Sequence, residues 1–374
     1  MIIGLIREPE HETRVALLPE HISTITKWNS SLLVESGAGK KAHATDEHYQ
    51  ESGATIASRE EVLKKSDLLV CIHPPSQEEM SILAGKVLIG FFQVWQFPKQ
   101  LESMIASKSN VFSMDLLPRT TRAQSMDVLS SQANIAGYKA VLLAANTYPR
   151  YFPMFMTAAG SIAPAKVLIL GAGVAGLQAI ATAKRLGAVI EVFDTRPAVK
   201  EEVMSLGAKF IEVEGAADAS KAGGYAVEQS AEFMERQKQK IAESVAKANI
   251  VITTAQIPGK KAPILITDEM IRNMKSGSVI IDLAASTGGN TDHTQDNETV
   301  VKYGVTIIGN SALPSTMPSD ASKLYGKNML NFMALMIKND GSLNMNMEDD
   351  LVAGTCALLN GEIAQERIKN LLNK

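Results

Sequence analysis

Six residues, Gly171-Ala172-Gly173-Val174-Ala175-Gly176, form a GxGxxG turn directly after the apolar run 166–170 and directly before a segment with helical spacing. In that setting the first glycine permits a tight turn, the second lets the main chain approach a pyrophosphate, and the third lets helix pack on strand. The free N–H groups of the helix start, with their partial positive charge, then face the phosphates. Asp194 ends the next apolar run, 189–193, about 20 residues on, where a carboxylate accepts hydrogen bonds from a ribose and repels a 2′-phosphate. NAD(H) is favoured over NADP(H), although Arg196, two residues later, is the side-chain type that a 2′-phosphate takes. A glycine turn with a capping aspartate is the competing reading, and it leaves the agreement of strand, turn, helix and acid unexplained.

A second constellation lies in residues 118–138. On a helix, Gln124, Asp127 and Ser131 share one face at spacings of three and four, with Ser130 and Asn134 beside them. Such a concentration of amide, carboxylate and hydroxyl groups suits a polar ligand. Arg119 or Arg122 can pair with Asp127 or with a phosphate. A solvated helix face with an N-cap accounts for the same spacing, so both readings stay open at this point.

These residues need a scaffold. Short apolar runs at 2–6, 31–35, 67–72, 86–92 and 110–114 alternate with helical patterns such as 17–28 and 58–66, the signature of βαβ units on a mainly parallel sheet. Residues 119–145 read as one long helix joining two domains, since Met126, Leu129, Ala133, Ala136 and Ala140 recur every three or four positions. Beyond a Pro/Gly-rich stretch, 149–164, strands are predicted at 166–170, 189–193, 209–213, 249–254, 278–283 and 304–309, giving a second doubly wound sheet. Residues 215–233 read as a mobile loop leading into a helix over 230–247. A helix over 318–337 precedes an alternating stretch, 343–364, in which Asn360-Gly361 signals a hairpin turn. So small a terminal hairpin needs a partner surface, in the first domain or another subunit. The expected fold is α/β: two Rossmann-like doubly wound domains, 1–127 with 319–374 and 128–318, joined by a long helix and ending in a hairpin.

Composition narrows the function classes. A chain of 374 residues with a formal charge of −3 and no long Lys/Arg block has no electrostatic footprint for nucleic acid or an anionic membrane. Cys71 and Cys356 form no CxxC pair and the six histidines show no HxxxH spacing, so no metal is expected. The apolar start, 2–6, is too short for a signal-peptide core, and no segment has the roughly 20 apolar residues of a spanning helix.

The runs RTTRAQSMDVLSSQANIAGY (119–138), GAGVAGLQAIATAKRLGA (171–188), Asp194-Thr195-Arg196, Gly223-Gly224-Tyr225, TTAQIPGKKAPILIT (253–267) and VIIDLAASTGGN (279–290) resemble the NAD(H)-binding domain I of proton-translocating nicotinamide nucleotide transhydrogenase. The resemblance covers essentially the whole chain, and the polar run is its most specific segment. It implies a homodimer held on the cytoplasmic face of the inner membrane by membrane subunits, passing hydride from NADH to NADP⁺ on a different component. It implies that Arg119, Gln124, Asp127 and Ser130 hold the nicotinamide end. Around the cofactor it implies Arg122, Ser125, Met126, Gly171, Gly173, Val174, Ala175, Gly176, Thr195, Arg196, Gly224, Ala255 and Gln256. Asp194 would take the adenosine ribose, Tyr225 would close over the nucleotide, and Gln237 is a weaker carry-over. One departure is Ala312, where family members usually carry an acid or amide; Asn310 is the candidate replacement.

Two rivals remain. An amino-acid dehydrogenase of the related alanine dehydrogenase type uses a Lys and a His to bind and protonate the oxo acid, where His73 and Gln93 stand here; Arg14, the carboxylate binder, is retained. A non-catalytic NAD(H)-binding module keeps the glycine turn and Asp194 but has no use for the polar run. For the dimer interface, the tail hairpin and the Leu/Met-rich segment 324–337 are the sequence candidates.

Overall fold

The computed structural model describes residues 1–97, 99, 101–213, 231–257 and 259–372. It divides into two compact units, Met1–Gln132 with Ser315–Lys374, and Ala133–Pro314.

In the first unit β1 (Ile2–Leu5), β2 (Ser31–Glu35), β3 (Thr55–Ala57), β4 (Leu68–Val70), β5 (Val87–Gly90) and β6 (Asn110–Ser113) pair in parallel in the order β6-β5-β4-β1-β2-β3. The strands are apolar on both faces because both are covered. Val87 and Ile89 enter one core with Val34 and Phe112, whereas Leu88 enters the other with Leu69 and Val111. The crossover helix Arg59–Lys65 starts where Ser58 and Glu61 form a reciprocal capping box, and Glu60–Lys64 and Glu61–Lys65 pairs line its exposed side.

In the second unit β7 (Phe155–Thr157) and β8 (Gly160–Ile162) form a separate exposed hairpin. The main sheet contains β9 (Lys166–Leu170), β10 (Val189–Phe193), β11 (Lys209–Phe210), β12 (Ile250–Thr253), β13 (Val279–Asp282), β14 (Glu298–Lys302) and β15 (Val305–Gly309). Its order is β11-β10-β9-β12-β13-β15-β14, parallel except at the β14 edge. The order reverses between β9 and β12, and a dinucleotide lies across the carboxyl ends of strands at such a switch point.

The chain then returns to the first unit. After the helix Pro318–Met333, β16 (Cys356–Leu359) pairs antiparallel with β6, and β17 (Glu362–Ile363) pairs with β16. Asn360 and Gly361 both have positive φ, 54° and 80°, as a type I′ turn demands. The tail hairpin's partner surface is therefore the sheet edge of its own unit.

Four local expectations need correction. The segment 119–145 is not one helix: a 3-10 run, Thr121–Met126, stops at Asp127, whose ψ is 93°, and the α-helix is Val128–Thr147. Asp127 caps that helix, accepting from the Ser130 N–H at 2.9 Å and the Ser130 hydroxyl at 2.6 Å, and such capping outcompetes continuation of the spiral. The stretch 149–164 contains the β7–β8 hairpin. A segment of the alternating stretch 343–364 is the helix Asp350–Thr355, capped by the Asp349 side chain on the Leu351 and Val352 N–H groups. The edge strand β14 was not predicted: Glu298–Lys302 is exposed at every position but Val300, so it lacks the buried apolar run of the inner strands. Among the described residues, no helix is long and apolar enough to cross a membrane.

Two glycines set helix spacing in the second unit. A Cβ at Gly176 would lie 1.9 Å from the Gly171 carbonyl oxygen, and one at Gly137 would lie 2.1 Å from that of Ala175. Both positions are closed to larger residues by main chain that cannot swing aside. Gly137→Ala is expected to cost about 1–3 kcal/mol in denaturant unfolding through overpacking; a midpoint equal to that of the parent protein would refute the close approach.

Candidate functional site

The glycine turn occupies the carboxyl end of β9. Gly171 has φ 105°, a conformation suited to glycine, and the Thr254 hydroxyl at the end of β12 donates to its carbonyl oxygen at 3.2 Å. A Cβ at Gly173 would meet only open space, and Val174 beside it is exposed. The start of the 12-residue helix Val174–Arg185 is thus approachable by an anion, with Gly173 at its N-cap. Ala175 continues that first turn.

Asp194 follows β10 with a side chain only 6 % exposed. Its carboxylate accepts from the Ala172 N–H at 2.7 Å, the Arg196 N–H at 2.8 Å, and Arg196 Nε and Nη2 at 2.9 and 2.8 Å. Arg196 is therefore engaged by Asp194 rather than standing open for a 2′-phosphate, and the carboxylate raises its pKa further. A ribose reaching Asp194 has to take over the bonds that the Arg196 side chain makes. Thr195 is half-buried between them.

Ala255 and Gln256 continue from β12. Asn290, fully buried, pairs with both sides of Ala255: its Oδ1 accepts the Ala255 N–H at 3.1 Å and its Nδ2 donates to the Ala255 carbonyl at 2.9 Å. The Asn290 N–H in turn rests on the Asp282 carboxylate at 2.6 Å. Sequence reading missed this brace, although the Gly288-Gly289-Asn290 turn after an apolar strand was its visible signal. Gln256 Nε2 donates to the Leu283 carbonyl at 3.0 Å. The Asn310 side chain accepts the Ala312 N–H at 2.8 Å, a local turn that engages the main chain at that departure. Gln237 is half-buried on the helix Ala231–Lys247. Gly224 and Tyr225, with the expected mobile loop around them, lie outside the described residues.

The polar run belongs to the first unit up to Gln132. Gln124 and Ser125 are exposed, Asp127 and Ser130 half-buried and bonded to each other, and Arg119 exposed at its start. Met126 turns into the core with Ala123 and Val128, which leaves its main chain for any ligand. Arg122 does not pair with Asp127: its guanidinium lies against Asp349, at 2.9 and 2.5 Å, and Asp350. The break at Asp127 also removes the single face that Gln124, Asp127 and Ser131 were to share. Ser131 instead donates to Asn328 Oδ1 at 2.7 Å.

Both halves of the chain match the alanine dehydrogenase/PNT family, the N-terminal domain over residues 4–136 and the C-terminal domain over 140–366. The chain belongs to this family. It is 46 % identical over 362 residues to the Rhodospirillum rubrum protein that forms the first portion of a divided NAD(P) transhydrogenase subunit alpha, covering 94 % of each. Against NAD(P) transhydrogenase subunit alpha of Haemophilus influenzae it is 43 % identical over 366 residues, 97 % of this chain and 71 % of that one. The crystal structure of transhydrogenase from Sinorhizobium meliloti matches with a TM-score of 0.89 at 41 % identity, covering 97 % of this chain and 100 % of that one. An L-alanine dehydrogenase structure, at 21 % identity and a TM-score of 0.82, shares the fold. The family implies NAD(H) binding.

Within the family fold, a buried ionic cluster occupies the first unit where the dehydrogenase reading sought its oxo-acid site. Arg14 Nε and Nη2 donate to Glu12 at 2.9 and 2.7 Å, and Nη1 donates to Gln132 at 2.8 Å. His73 Nε2 lies 3.1 Å from Glu12, and Ser315 donates to the same carboxylate at 2.8 Å. Burial alone would raise the Glu12 pKa, but bonds from Arg14 and His73 outweigh it and hold the carboxyl far below its ordinary value. Neighbouring Glu8 goes the other way: burial raises it to about 7, against the Ile72 and His73 N–H groups that its carboxylate accepts.

Glu8 carries a pH signature with a defined sign. Between about pH 4.5 and 7 the folded protein binds a proton there that the unfolded chain has released, so the Glu8 contribution to stability is fully present below about 4.5 and is lost as pH rises to about 7. Denaturant unfolding across that window should lose this downward slope in Glu8→Gln; an unchanged slope would show that Glu8 titrates normally.

Proposed function

We propose that this chain is the NAD(H)-binding component of a proton-translocating transhydrogenase, donating hydride from NADH to NADP⁺ held on a partner component. The observation that carries the reading is the run 119–131, in which exposed Gln124 and Ser125 and the Asp127–Ser130 pair supply neutral and anionic polar groups for a nicotinamide carboxamide and ribose. Arg119, Gln124, Asp127 and Ser130 hold the nicotinamide end. Gly171, Gly173, Val174, Ala175 and Gly176 take the pyrophosphate, Asp194 the adenosine ribose, and Thr195, Ala255 and Gln256 the adjoining groups. Arg122, Ser125, Met126, Arg196, Gly224, Tyr225 and Gln237 are secondary contacts of the nucleotide.

Direct transfer between two nicotinamides moves no proton at the reacting carbons, so it asks for positioning and exclusion of water rather than a general acid or base. The polar run contains no His or Lys. An alanine dehydrogenase reading fits less well, since Arg14, the side chain it needs for a substrate carboxylate, is neutralised by Glu12 and held by Gln132. On the proposed reading the protein is peripheral to the cytoplasmic face of the inner membrane, attached through membrane subunits.

We also propose a homodimer. The sequence candidates for its interface are otherwise engaged: the tail hairpin extends the sheet at β6, and Met329, Leu330, Phe332 and Met333 are buried within the first unit. The β7–β8 hairpin, with Tyr151, Met154, Phe155, Met156 and Ile162 exposed, is the better candidate, because a lone apolar hairpin is marginal in water until a second copy covers it.

Mixing the purified chain with an NADP(H)-binding transhydrogenase component should give hydride transfer from NADH to NADP⁺ or an acetylpyridine analogue; no transfer would sink the proposal. Asp194→Ala should weaken NADH binding, while Gln124→Ala should slow transfer about tenfold or more with little loss of affinity. Equal affinity losses in both would contradict the division of roles. Analytical ultracentrifugation of a Met154→Ser, Met156→Ser variant should record a monomer where the parent protein is dimeric; a dimer of unchanged affinity would rule out the hairpin.

A further inference from the structure

We infer that Asn328 and Asn331 are positioning residues that clamp the polar run on both sides of its break at Asp127, an inference that rests on reading this run as the nicotinamide-end site. The two asparagines lie three residues apart on the helix Pro318–Met333 and so project from one face. Each Nδ2 donates to the same acceptor, the Ser125 carbonyl oxygen, at 2.8 Å. Both lone pairs of that oxygen are thereby used. The Oδ1 of Asn328 simultaneously accepts the Ser131 hydroxyl at 2.7 Å. One side chain thus holds the 3-10 run before Asp127 and the α-helix after it.

The run needs such support. Thr121–Met126 is six residues of 3-10 helix, longer than this conformation usually sustains on its own hydrogen bonds. The Arg122 pair with Asp349 and Asp350 ties down its other end, but Arg122 and Asp350 are largely exposed and their attraction is screened by solvent. Asn328 is buried, and Gln132 adds a neighbouring bond to the Ala321 carbonyl on the same helix at 3.1 Å. Gln124 and Asp127 flank Ser125 by one and two residues, so the direction of both side chains follows from where that carbonyl is pinned. Neither asparagine has a role in the reaction itself. Their effect is on the placement of groups that do.

The test compares Asn331→Ala, Asn328→Asp and the double Asn328→Ala, Asn331→Ala variant with the parent chain. Asn328→Asp keeps the shape and the acceptor for Ser131 but removes the donor to Ser125, which separates hydrogen bonding from packing. Hydrogen exchange of the free protein should quicken about tenfold or more at amides 123–131 in the double variant while those of β9 and β12 hold steady. In the mixture with an NADP(H)-binding component, turnover should fall about 10- to 100-fold, as misplacement near 1 Å produces, with the NADH dissociation constant within about twofold of the parent value. Unchanged exchange at 123–131, or parental turnover in Asn328→Asp, would overturn the clamp. Should the double variant fail to fold, Asn331→Ala, at the more exposed position, gives the same readouts. If the parent mixture transfers no hydride, the functional reading fails, and the exchange data, which need no partner component, still decide whether the clamp exists.

Discussion

The Asp127 carboxylate, by holding both the N–H and the hydroxyl of Ser130, fixes where the helix Val128–Thr147 begins, and the arrangement of the polar run follows from that choice. Because the spiral stops there, Ala123 and Met126 turn into the core while Gln124 and Ser125 remain at the surface. A continuous helix would have kept Gln124, Asp127 and Ser131 in one row. The restart also directs Ser131 and Gln132 to tertiary partners, Asn328, Ala321 and Arg14, instead of to solvent. Capping energies of about 1 kcal/mol are small, yet at a point where two backbone courses compete they decide the outcome.

Two arginine-bound carboxylates, Glu12 and Asp194, behave differently under the same rule. Glu12 and Arg14 have side chains 3 % and 12 % exposed and share their remaining bonds with His73, Ser315 and Gln132. Taking one partner from such a buried pair leaves an uncompensated charge at a cost of about 3–5 kcal/mol, so Arg14 is a fixed structural cation. Asp194 is as deeply placed, but its partner Arg196 is 21 % exposed and reaches it from two residues away along the chain. On the proposed reading, solvent takes the guanidinium while ribose hydroxyls replace it on the carboxylate, with the Ala172 and Arg196 N–H bonds undisturbed. Exchange of partners is feasible at Asp194 and not at Glu12.

Much of the scaffold was legible because its signals are local. Apolar runs located most of the parallel strands to within one or two residues, although β3 carried no such run and β11 ends at Phe210, three residues short of the end of the run 209–213; the glycine turn located the switch-point strand without help from tertiary contacts. What escaped was decided at long range or by competition. The β7–β8 hairpin is exposed and follows a proline, so it carries no burial pattern, and β14 is an edge strand with one polar face. The helix Asp350–Thr355 was hidden because its cap, Asp349, also binds Arg122, 227 residues away in sequence. Asn290 and Asn328 look like ordinary loop and helix residues until Ala255 and Ser125 come into reach. The polar run itself was found by residue type, but its geometry was not, since spacing predicts a face only while the spiral continues.

A hydride donor site that serves another nucleotide faces two opposed demands on the proposed reading. Its groups have to be held to a fraction of an ångström, and the same groups have to stay open to a second component. Burying the side chains would meet the first demand and defeat the second. In this chain rigidity is applied to the main chain instead: the Ser125 carbonyl is saturated by two amides from the helix Pro318–Met333, while the Ser125 and Gln124 side chains remain exposed. Anchoring the backbone from the core side leaves the outward side free, and it does so with neutral amides, which bring no charge close to the redox centre. The chemistry of the segment is thus set as much by what lies beneath it as by the residues it displays.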